Sequence, residues 1–308
     1  MVASTGHLFP READAMSCDP QTNLPVKACA RRRSRPWWAA ALLLALVVVV
    51  DGSRCTPADP NQPIQIIGSA SPVESDGSVL RIGTFNIHSG KGRDRKTDLA
   101  RTASVFKMPL DVVGLNEVRG TWSQSIGLNQ AEQLSSLWGM QSAFIPTERR
   151  WWHDHFGNAL LTRLPIRQIQ RLPLPGLRGK AFRCAALSQV EFQKRMVQVL
   201  TVHVDSQSDR GPQLQAVIAM FLALQPPAIL MGDLNSTSDD PQMRELLARP
   251  DVVDAQQETP LDARGRKRID WVLARGLRCR SGQVVENEAS DHPALVAEFE
   301  IEHPTPTP

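Results

Sequence analysis

Short apolar runs recur along the chain between about residues 79 and 302, and turn residues bound each of them. The runs are rich in Val, Ile, Leu and Phe, a composition typical of β-strands. In chain order they read VLRIGTFNIH, DVVGLNEV, NALLTRLPI, CAALSQVEF, MVQVLTVHVD, AILMGDLN, RIDWVLA and PALVAEFEI. Several follow one another with no helical pattern between them, which favours an α/β (α+β) layered sandwich over a doubly wound sheet.

Two segments show helical spacing instead. In GPQLQAVIAMFLALQPP, Pro212 stands near the start, apolar residues recur every three or four positions, and Pro226 and Pro227 end the pattern. In DPQMRELLARP, Asp240 is a candidate N-cap and Pro241 a candidate first-turn residue. We therefore expect a few helices among many strands.

The N-terminal part of the chain has a different pattern. The stretch ARRRSRP precedes an unbroken apolar run, residues 37–50. This run is shorter than the roughly 20 residues of a comfortable membrane span, and it fits a signal-peptide core of about 7–15 residues. Trp37 and Trp38 would also suit a membrane interface with the arginines in the cytoplasm. A cleaved signal and an uncleaved single-pass anchor both stay open, and either places the main domain outside the cytoplasm: on the cell membrane, in the periplasm or secreted.

Composition completes the predicted domain organisation. A polar and basic lead occupies residues 1–36, and the signal or anchor segment occupies 37–50. Residues 51–78 are rich in Pro, Ser, Gly and Asp and predict a flexible linker. One domain is predicted over 79–302 and a disordered tail over 303–308.

The net charge and the cysteines add little to the prediction of partners and structure. The chain has 308 residues and a net charge of +3, an excess too small to predict a nucleic-acid partner by itself. Cys184 and Cys279 fall in the main domain, and the sequence leaves open whether they form a disulfide.

Polar side chains with catalytic chemistry follow most of the apolar runs. Each has an ordinary explanation alone: Asp233 and Asn235 could cap a turn, and Asp270 could pair with Arg268. Together they form a coherent set, because carboxylate and amide oxygens suit Mg²⁺, Mn²⁺ or Ca²⁺ and imidazoles transfer protons. That set suits metal-assisted attack of water on a phosphoester. Its members are Asn86, Glu117, His203, Asp205, Asp233, Asn235, Asp270, Asp291 and His292.

The order of these residues resembles the endonuclease/exonuclease/phosphatase superfamily, which includes deoxyribonuclease and exonuclease III-like enzymes, neutral sphingomyelinases and inositol polyphosphate 5-phosphatases. The resemblance spans the whole 79–302 domain. It implies a four-layered sandwich of two mixed β-sheets packed face to face with helices outside. The motifs that carry it are Asn86, Glu117, GNALLTRLPI, TVHVDS, GDLN, RIDWV and SDHPAL.

The resemblance also implies a role for each site residue. Glu117 would be the principal ligand of Mg²⁺ or Mn²⁺, supported by Asn86 and Asp291. Asp233 would activate water, Asn235 would orient water and phosphate, and His203 would contact the phosphate or protonate the leaving oxygen. His292 would be a base or electrostatic clamp paired with Asp270. Asn158, in GNALLTRLPI, belongs to the predicted substrate-binding set.

The sequence departs from the family pattern at four points, which bear on the branch of the superfamily that it resembles. Asn116 replaces a frequent Gln, Thr162 replaces a usual Ser, and Pro293 directly follows His292. The chain has no tyrosine, so it lacks the active-site tyrosine of the abasic-site endonucleases. His203 instead favours the deoxyribonuclease, sphingomyelinase and phosphatase branches.

The substrate is less well defined by the sequence. In TERRWWHDH, the residues Arg149, Arg150, Trp151 and Trp152 could stack bases, hold anionic head groups or meet a membrane surface. A loop that packs its tryptophans on the domain is an equal alternative. DARGRKRID is a second basic loop, with a solvated turn as its alternative.

We expect a monomeric phosphodiesterase that favours nucleic acid over a lipid head group. The other readings are a lipid or inositol phosphoesterase, a tethered module without catalysis, and a zinc hydrolase that uses His153, His155, His203 and His292.

Overall fold

The computed structural model describes residues 37–68, 78–121, 129–151, 153–176, 181–259 and 265–301. Within these residues the chain forms five α-helices and fourteen β-strands, with a 3-10 turn at His88–Gly90. The helices are α1 (Trp37–Ser53), α2 (Leu99–Ala103), α3 (Gln130–Trp138), α4 (Arg210–Ala223) and α5 (Pro241–Leu247). The strands are β1 (Thr56–Pro57), β2 (Ile66–Ile67), β3 (Leu80–Asn86), β4 (Val112–Arg119), β5 (Gln141–Arg150), β6 (His153–Thr162), β7 (Ile166–Pro173), β8 (Cys184–Phe192), β9 (Arg195–His203), β10 (Ala228–Asp233), β11 (Val253–Asp254), β12 (Asp270–Arg275), β13 (Leu277–Val285) and β14 (Ala294–Ile301).

The strands form two sheets. The first has the order β1-β5-β6-β4-β3-β14-β13, with β2 also paired to β5, and the second has the order β11-β12-β10-β9-β8-β7. The pairs β3–β4 and β9–β10 are parallel, and the neighbouring pairs β3–β14 and β10–β12 are antiparallel. Both sheets are therefore mixed, which confirms the predicted sheet type.

Three apolar clusters order the layers. The first joins inward-facing residues of both sheets, among them Ile82, Val112, Val199, Ile229 and Leu295. The second packs the other face of the first sheet against α3 through residues such as Phe85, Leu115 and Leu134. The third packs the second sheet against α4 and α5 through Leu200, Val217, Phe221 and Met243. The arrangement is helices, sheet, sheet, helices, because each sheet has two apolar faces to bury.

The helix predicted after Asp240 begins as its sequence indicates. Pro241 is the first residue of α5, and the Asp240 carboxylate accepts a hydrogen bond from the Gln242 backbone N–H at 3.0 Å. This cap satisfies one of the free N–H groups at the start of the helix. Cys184 and Cys279 are free thiols, so the disulfide left open by the sequence does not form.

The chain divides into two units, residues 1–46 and 47–308. In the first, the described residues 37–46 are helical and belong to α1. No helix among the described residues combines the length and the apolar composition that a membrane crossing requires.

In the second unit, part of the predicted flexible linker is folded onto the domain. Both β1 and β2 pair with β5 at the edge of the first sheet. Arg171, which is buried, donates hydrogen bonds to the backbone carbonyls of Asp59 and Gln62. Residues 56–67 differ from a free tether because their backbone groups find partners on the domain.

Candidate active site

Asp233 lies at the centre of the site, at the end of β10. The pairing register places it beside His203 of β9 and opposite Asp270 of β12. The imidazole Nε2 of His203 lies 3.6 Å from Asp233 Oδ2. Gly232 enables this close pairing, because a side chain at its φ of +129° would overlap the carbonyl oxygen of Val202. The apolar residues of β10 thus hold a buried carboxylate at the sheet edge.

His292 reaches the same carboxylate from the loop before β14. Its Nδ1 lies 2.8 Å from Asp270 Oδ2, and its Nε2 lies 3.8 Å from Asp233 Oδ2. Ser290 fixes this loop on the first sheet, since its hydroxyl donates to the Asn86 carbonyl at 2.7 Å. Asp270 therefore pairs with His292, while Arg268 pairs with Asp254.

The charges of this cluster favour a proton on His292. Burial alone would lower the pKa of His292, but the hydrogen bond to Asp270 and the charges of Asp270 and Asp233 raise it to about 10. Burial, with the nearby Asp270 carboxylate, raises the pKa of Asp233. Burial, together with the positive charges of Arg183 and His292, lowers the pKa of His203 well below its usual range.

Glu117 and Asn86 complete the site from the first sheet. A bulge in β4 and a φ of 57° at Glu117 change the strand direction at this point. The Asn86 amide nitrogen donates to Glu117 Oε1 at 3.3 Å and to Asp233 Oδ2 at 3.1 Å. Its amide oxygen accepts from the His88 backbone N–H. Asn86 thus presents its N–H groups to the two carboxylates and holds them close together.

Asn116 is a site residue that sequence reasoning noted only as a departure from the family pattern. It is fully buried, and its amide nitrogen donates to Asn158 Oδ1 at 3.0 Å and to the Val202 carbonyl at 2.8 Å. Its amide oxygen accepts from the Asp233 backbone N–H at 3.0 Å. Asn116 therefore links the first sheet to both strands that carry His203 and Asp233.

Asn158 differs from the predicted substrate-binding role. It is buried, it accepts from Asn116, and its amide nitrogen donates to the Cys184 carbonyl at 3.4 Å. The oxygen and the nitrogen of this amide both bond within the protein, so Asn158 supports the site through Asn116.

Asn235 and Asp291 lie at the margins of the cluster. Asn235 has a φ of 47°, its backbone N–H donates to Asp233 Oδ1 at 2.9 Å, and its side chain donates to the Val204 carbonyl. Asp291 is exposed and lies 3.5 Å from His88 Nδ1. The Asp205 carboxylate instead accepts from the backbone N–H groups of residues 207 and 209, which is a turn role.

The segment predicted as a substrate-binding loop is instead mostly strand, since Arg149 and Arg150 end β5 and His153 begins β6. Arg149 Nε lies 3.5 Å from Asp154 Oδ1, and Arg150 is half-buried at the end of β5. The Trp151 side chain is 43% exposed, and Trp152 lies outside the described residues. Of the described residues, Arg149 and Arg150 belong to β5 of the first sheet, whereas Asp233 ends β10 of the second sheet.

Basic residues also line a cavity of about 260 Å³ next to the site. Residues 266–270 and 291–293 surround it, so it opens beside the His292 ring. Lys267 pairs with Asp239 on this side. Asp270 and His292 of the cluster are themselves part of its lining.

The carboxylates of this cluster fit a divalent cation. Asp233, Asp270 and His292 each offer a ligand atom within 4.8 Å of the others, and within the described parts of the chain no other His, Cys, Asp and Glu group meets that criterion. Glu117 adds a further carboxylate, which accepts a hydrogen bond from the same Asn86 amide nitrogen as Asp233 does. Clustered carboxylates are the ligands that Mg²⁺ and Mn²⁺ prefer. His153 and His155 are not in this cluster; His155 Nε2 lies 2.8 Å from Arg119 instead.

Comparison with known proteins gives the class of this fold and site. The family model described as endonuclease/exonuclease/phosphatase matches residues 83–292. The chain therefore belongs to the endonuclease/exonuclease/phosphatase family, whose name covers enzymes that cleave phosphoester bonds. No curated protein matches the sequence.

Solved structures share the fold at low sequence identity. An endonuclease/exonuclease/phosphatase from Beutenbergia cavernae is 22% identical, with 72% of each chain covered and a TM-score of 0.59. The human nocturnin catalytic domain, with a bound sulfate, is 18% identical over 80% of this chain and 100% of that chain, with a TM-score of 0.56. Sphingomyelinase C from Streptomyces griseocarneus is 18% identical over 71% of this chain and 99% of that chain, with a TM-score of 0.52.

Proposed function

We propose that this protein is a Mg²⁺- or Mn²⁺-dependent phosphodiesterase that hydrolyses phosphoester bonds in a nuclease-like manner. The observation that carries the proposal is the position of Asp233. Both imidazoles lie within 3.8 Å of its Oδ2 atom, and the Asn86 amide donates to that same atom. A buried carboxylate between two imidazoles is suited to hold and deprotonate a water molecule.

The chain's own residues divide the reaction between them. Asp233 accepts from the Asn235 backbone N–H, which fixes the carboxylate that orients water. His292, held by Asp270, carries a proton that it can give to the leaving oxygen of the substrate, while Asp233 takes the proton from the attacking water. A divalent ion bound by the carboxylates would neutralise the phosphate and the charge that develops on it. His203 offers its Nε2 on the other side of Asp233.

Nucleic acid is the favoured substrate because basic residues line the cavity next to the site and occur at a turn of the first sheet. Arg266 and Lys267 line the cavity beside His292, and Arg149 and Arg150 lie at the β5–β6 turn. Cations in such positions attract a phosphate backbone. The exposed Trp151 supports the second candidate, a phosphoesterase that acts on lipid head groups, since tryptophan suits a membrane interface.

A substrate panel tests both candidates. The full-length chain is incubated with plasmid DNA, RNA, sphingomyelin vesicles and an inositol phosphate, each with Mg²⁺, with Mn²⁺ and with chelator. We expect cleavage of DNA or RNA that needs the metal and stops in chelator. Cleavage of sphingomyelin alone would favour the lipid candidate. Binding without turnover on every substrate would indicate a module that has lost catalysis, and full activity in chelator would exclude the metal-dependent mechanism.

We also propose that the domain acts outside the cytoplasm. The support is the apolar helix α1, whose residues 37–50 contain no charged side chain. Protease protection in whole cells, followed by digestion once the envelope is opened, is the expected result. Recovery of the protein in the cytosolic fraction would contradict this proposal.

A further inference from the structure

Arg183 contacts the outer side of His203. It directly precedes β8, and the pairing of Ala185 with Val202 brings the start of β8 to the end of β9. Its Nη1 lies 3.2 Å from His203 Nδ1. The His203 side chain is almost completely buried, so this contact is made away from bulk water. No motif in the sequence indicates this pair, whose members are separated by twenty positions.

The chemistry of the two groups decides the direction of this hydrogen bond. A guanidinium has five N–H donors and no acceptor, and it stays protonated in proteins. The Nδ1 atom of His203 must therefore accept, which means that it carries a lone pair and no hydrogen. A neutral imidazole with a bare Nδ1 has its hydrogen on Nε2. That Nε2 is the atom that faces Asp233 Oδ2 at 3.6 Å.

A carboxylate beside Nδ1 would instead favour a hydrogen on Nδ1, as in His292. Asp270 accepts from the Nδ1–H of His292, so the second ring nitrogen of that residue can exchange a proton. Around His203, Arg183 occupies the Nδ1 side and Asp233 the Nε2 side. With a guanidinium on one side and a carboxylate on the other, the ring hydrogen belongs on Nε2. The distance of 3.6 Å to Asp233 is too long for a hydrogen bond, so the Nε2–H can donate to a ligand that lies beside Asp233.

We propose that Arg183 is a positioning residue that holds His203 in the Nε2–H tautomer, so that His203 presents a fixed hydrogen-bond donor to a phosphate oxygen. The role of His203 as a donor to phosphate rests on the proposed function, whereas the assignment of its tautomer does not. In this arrangement His203 stabilises charge on the substrate and does not gain or lose a proton during the reaction. Proton transfer then belongs to Asp233 and His292.

The tautomer can be measured directly in the full-length chain. Two-bond ¹⁵N–¹H spectra of ¹⁵N-histidine-labelled protein distinguish the ring nitrogens, and His203→Gln assigns the signals. We expect the hydrogen of His203 on Nε2 in the unmodified protein, in chelator and with Mg²⁺. A hydrogen on Nδ1, or on both nitrogens at neutral pH, would overturn the proposal without any variant.

Variants of Arg183 supply the second readout. In Arg183→Met the donor is lost, so we expect a mixture of tautomers and a fall in kcat that does not exceed the loss of about tenfold expected for His203→Gln, with little change in KM. Arg183→Lys keeps a donor and a charge and should restore both the tautomer and most of the activity. Arg167→Met, at an exposed arginine paired with Glu191 on β8, is the matched control.

The outcomes separate this inference from the proposed function. If Arg183→Met folds and keeps a single Nε2–H tautomer, Arg183 does not position His203, whatever the activity. A rise in KM with an unchanged tautomer would mean that Arg183 binds substrate directly, which also overturns the inference. If no phosphoester is cleaved by the unmodified protein, the proposed function fails while the spectra still test the tautomer.

Discussion

The two histidines beside Asp233 differ in the group that lies behind each ring. His292 has the Asp270 carboxylate 2.8 Å from its Nδ1, and His203 has the Arg183 guanidinium 3.2 Å from the same atom. The carboxylate favours the protonated ring and the guanidinium favours the neutral ring. Two residues of one type, within 3.8 Å of one carboxylate, are thereby prepared for different tasks.

Burial strengthens this difference. The His292 side chain is 18% exposed and lines the cavity beside the site, whereas that of His203 is 3% exposed. A ring at the cavity can exchange its proton with substrate and water, and a ring in the interior can only donate along a fixed direction. The neighbour of Nδ1 therefore defines the chemistry of each histidine more than the imidazole itself does.

The largest effect is expected from removing the carboxylate that both rings share. Asp233→Asn keeps the shape but loses the acceptor for water and both imidazoles, so kcat should fall by about 10³-fold or more. Thermal stability should stay the same or rise, because an ionised carboxylate is disfavoured in this buried position. Steady-state kinetics and thermal unfolding check both results.

The control for this variant is Asp251→Asn. Asp251 pairs with Arg275, at the end of β12 away from Asp270. Its replacement should leave kcat unchanged. Activity of Asp233→Asn within tenfold of the unmodified protein would remove Asp233 from the mechanism.

Replacing each histidine by glutamine tests the comparison directly. A glutamine amide can donate a hydrogen bond but cannot exchange a proton near neutral pH. We therefore expect a loss of about 10²- to 10³-fold for His292→Gln and only about tenfold for His203→Gln. Kinetics on one phosphodiester substrate measure the ratio. Equal losses for the two variants would mean that the two rings share one role.

Asn116→Ala should destabilise the protein, because it leaves the Asn158 oxygen, the Val202 carbonyl and the Asp233 N–H buried without this partner. An unsatisfied buried group costs about 1–3 kcal/mol, so we expect a loss of about 3 kcal/mol in the free energy of unfolding, measured with denaturant. Asn61→Ala, at an exposed asparagine, is the control. A change below ~1 kcal/mol would show that the link between the sheets is dispensable.

The last prediction concerns the dependence of stability on pH. Folding raises the pKa of His292 to about 10 from an unfolded value near 6.5, so its stabilising contribution is complete below pH ~6.5 and is lost as the pH rises through 10. In chelator, the melting temperature should fall over this window. His292→Gln should reduce the slope, and an equal slope in both proteins would contradict the assigned environment.

Several features of the fold and of the candidate site can be predicted from the sequence. The apolar runs predict eight strands spread over both sheets, since alternation and β-branched residues act locally. The runs do not include β1, β2, β5, β7, β11 and β13. Asp240 and Pro241 predict the start of α5 for the same reason. The polar residues at the strand ends predict where chemistry lies, although the structure turns Asn158 inward.

Other elements depend on contacts that join distant parts of the chain. Asp270 could pair with Arg268 on the basis of sequence, but the fold gives Arg268 to Asp254 and leaves Asp270 for His292. Residues 56–67 have the composition of a linker, and only the edge of β5 and the side chain of Arg171 provide partners that fold them.

By itself, then, the sequence determined the strand-rich class of the domain and the residue types of its active site, because local periodicity and motif order require no knowledge of distant contacts. The tertiary structure decided the partners: Asn116 with Asp233, Asp270 with His292 and Arg183 with His203. Proton positions follow from those partners. A protonation state is a property of the surrounding charges and burial, and these exist only once the two sheets have packed together.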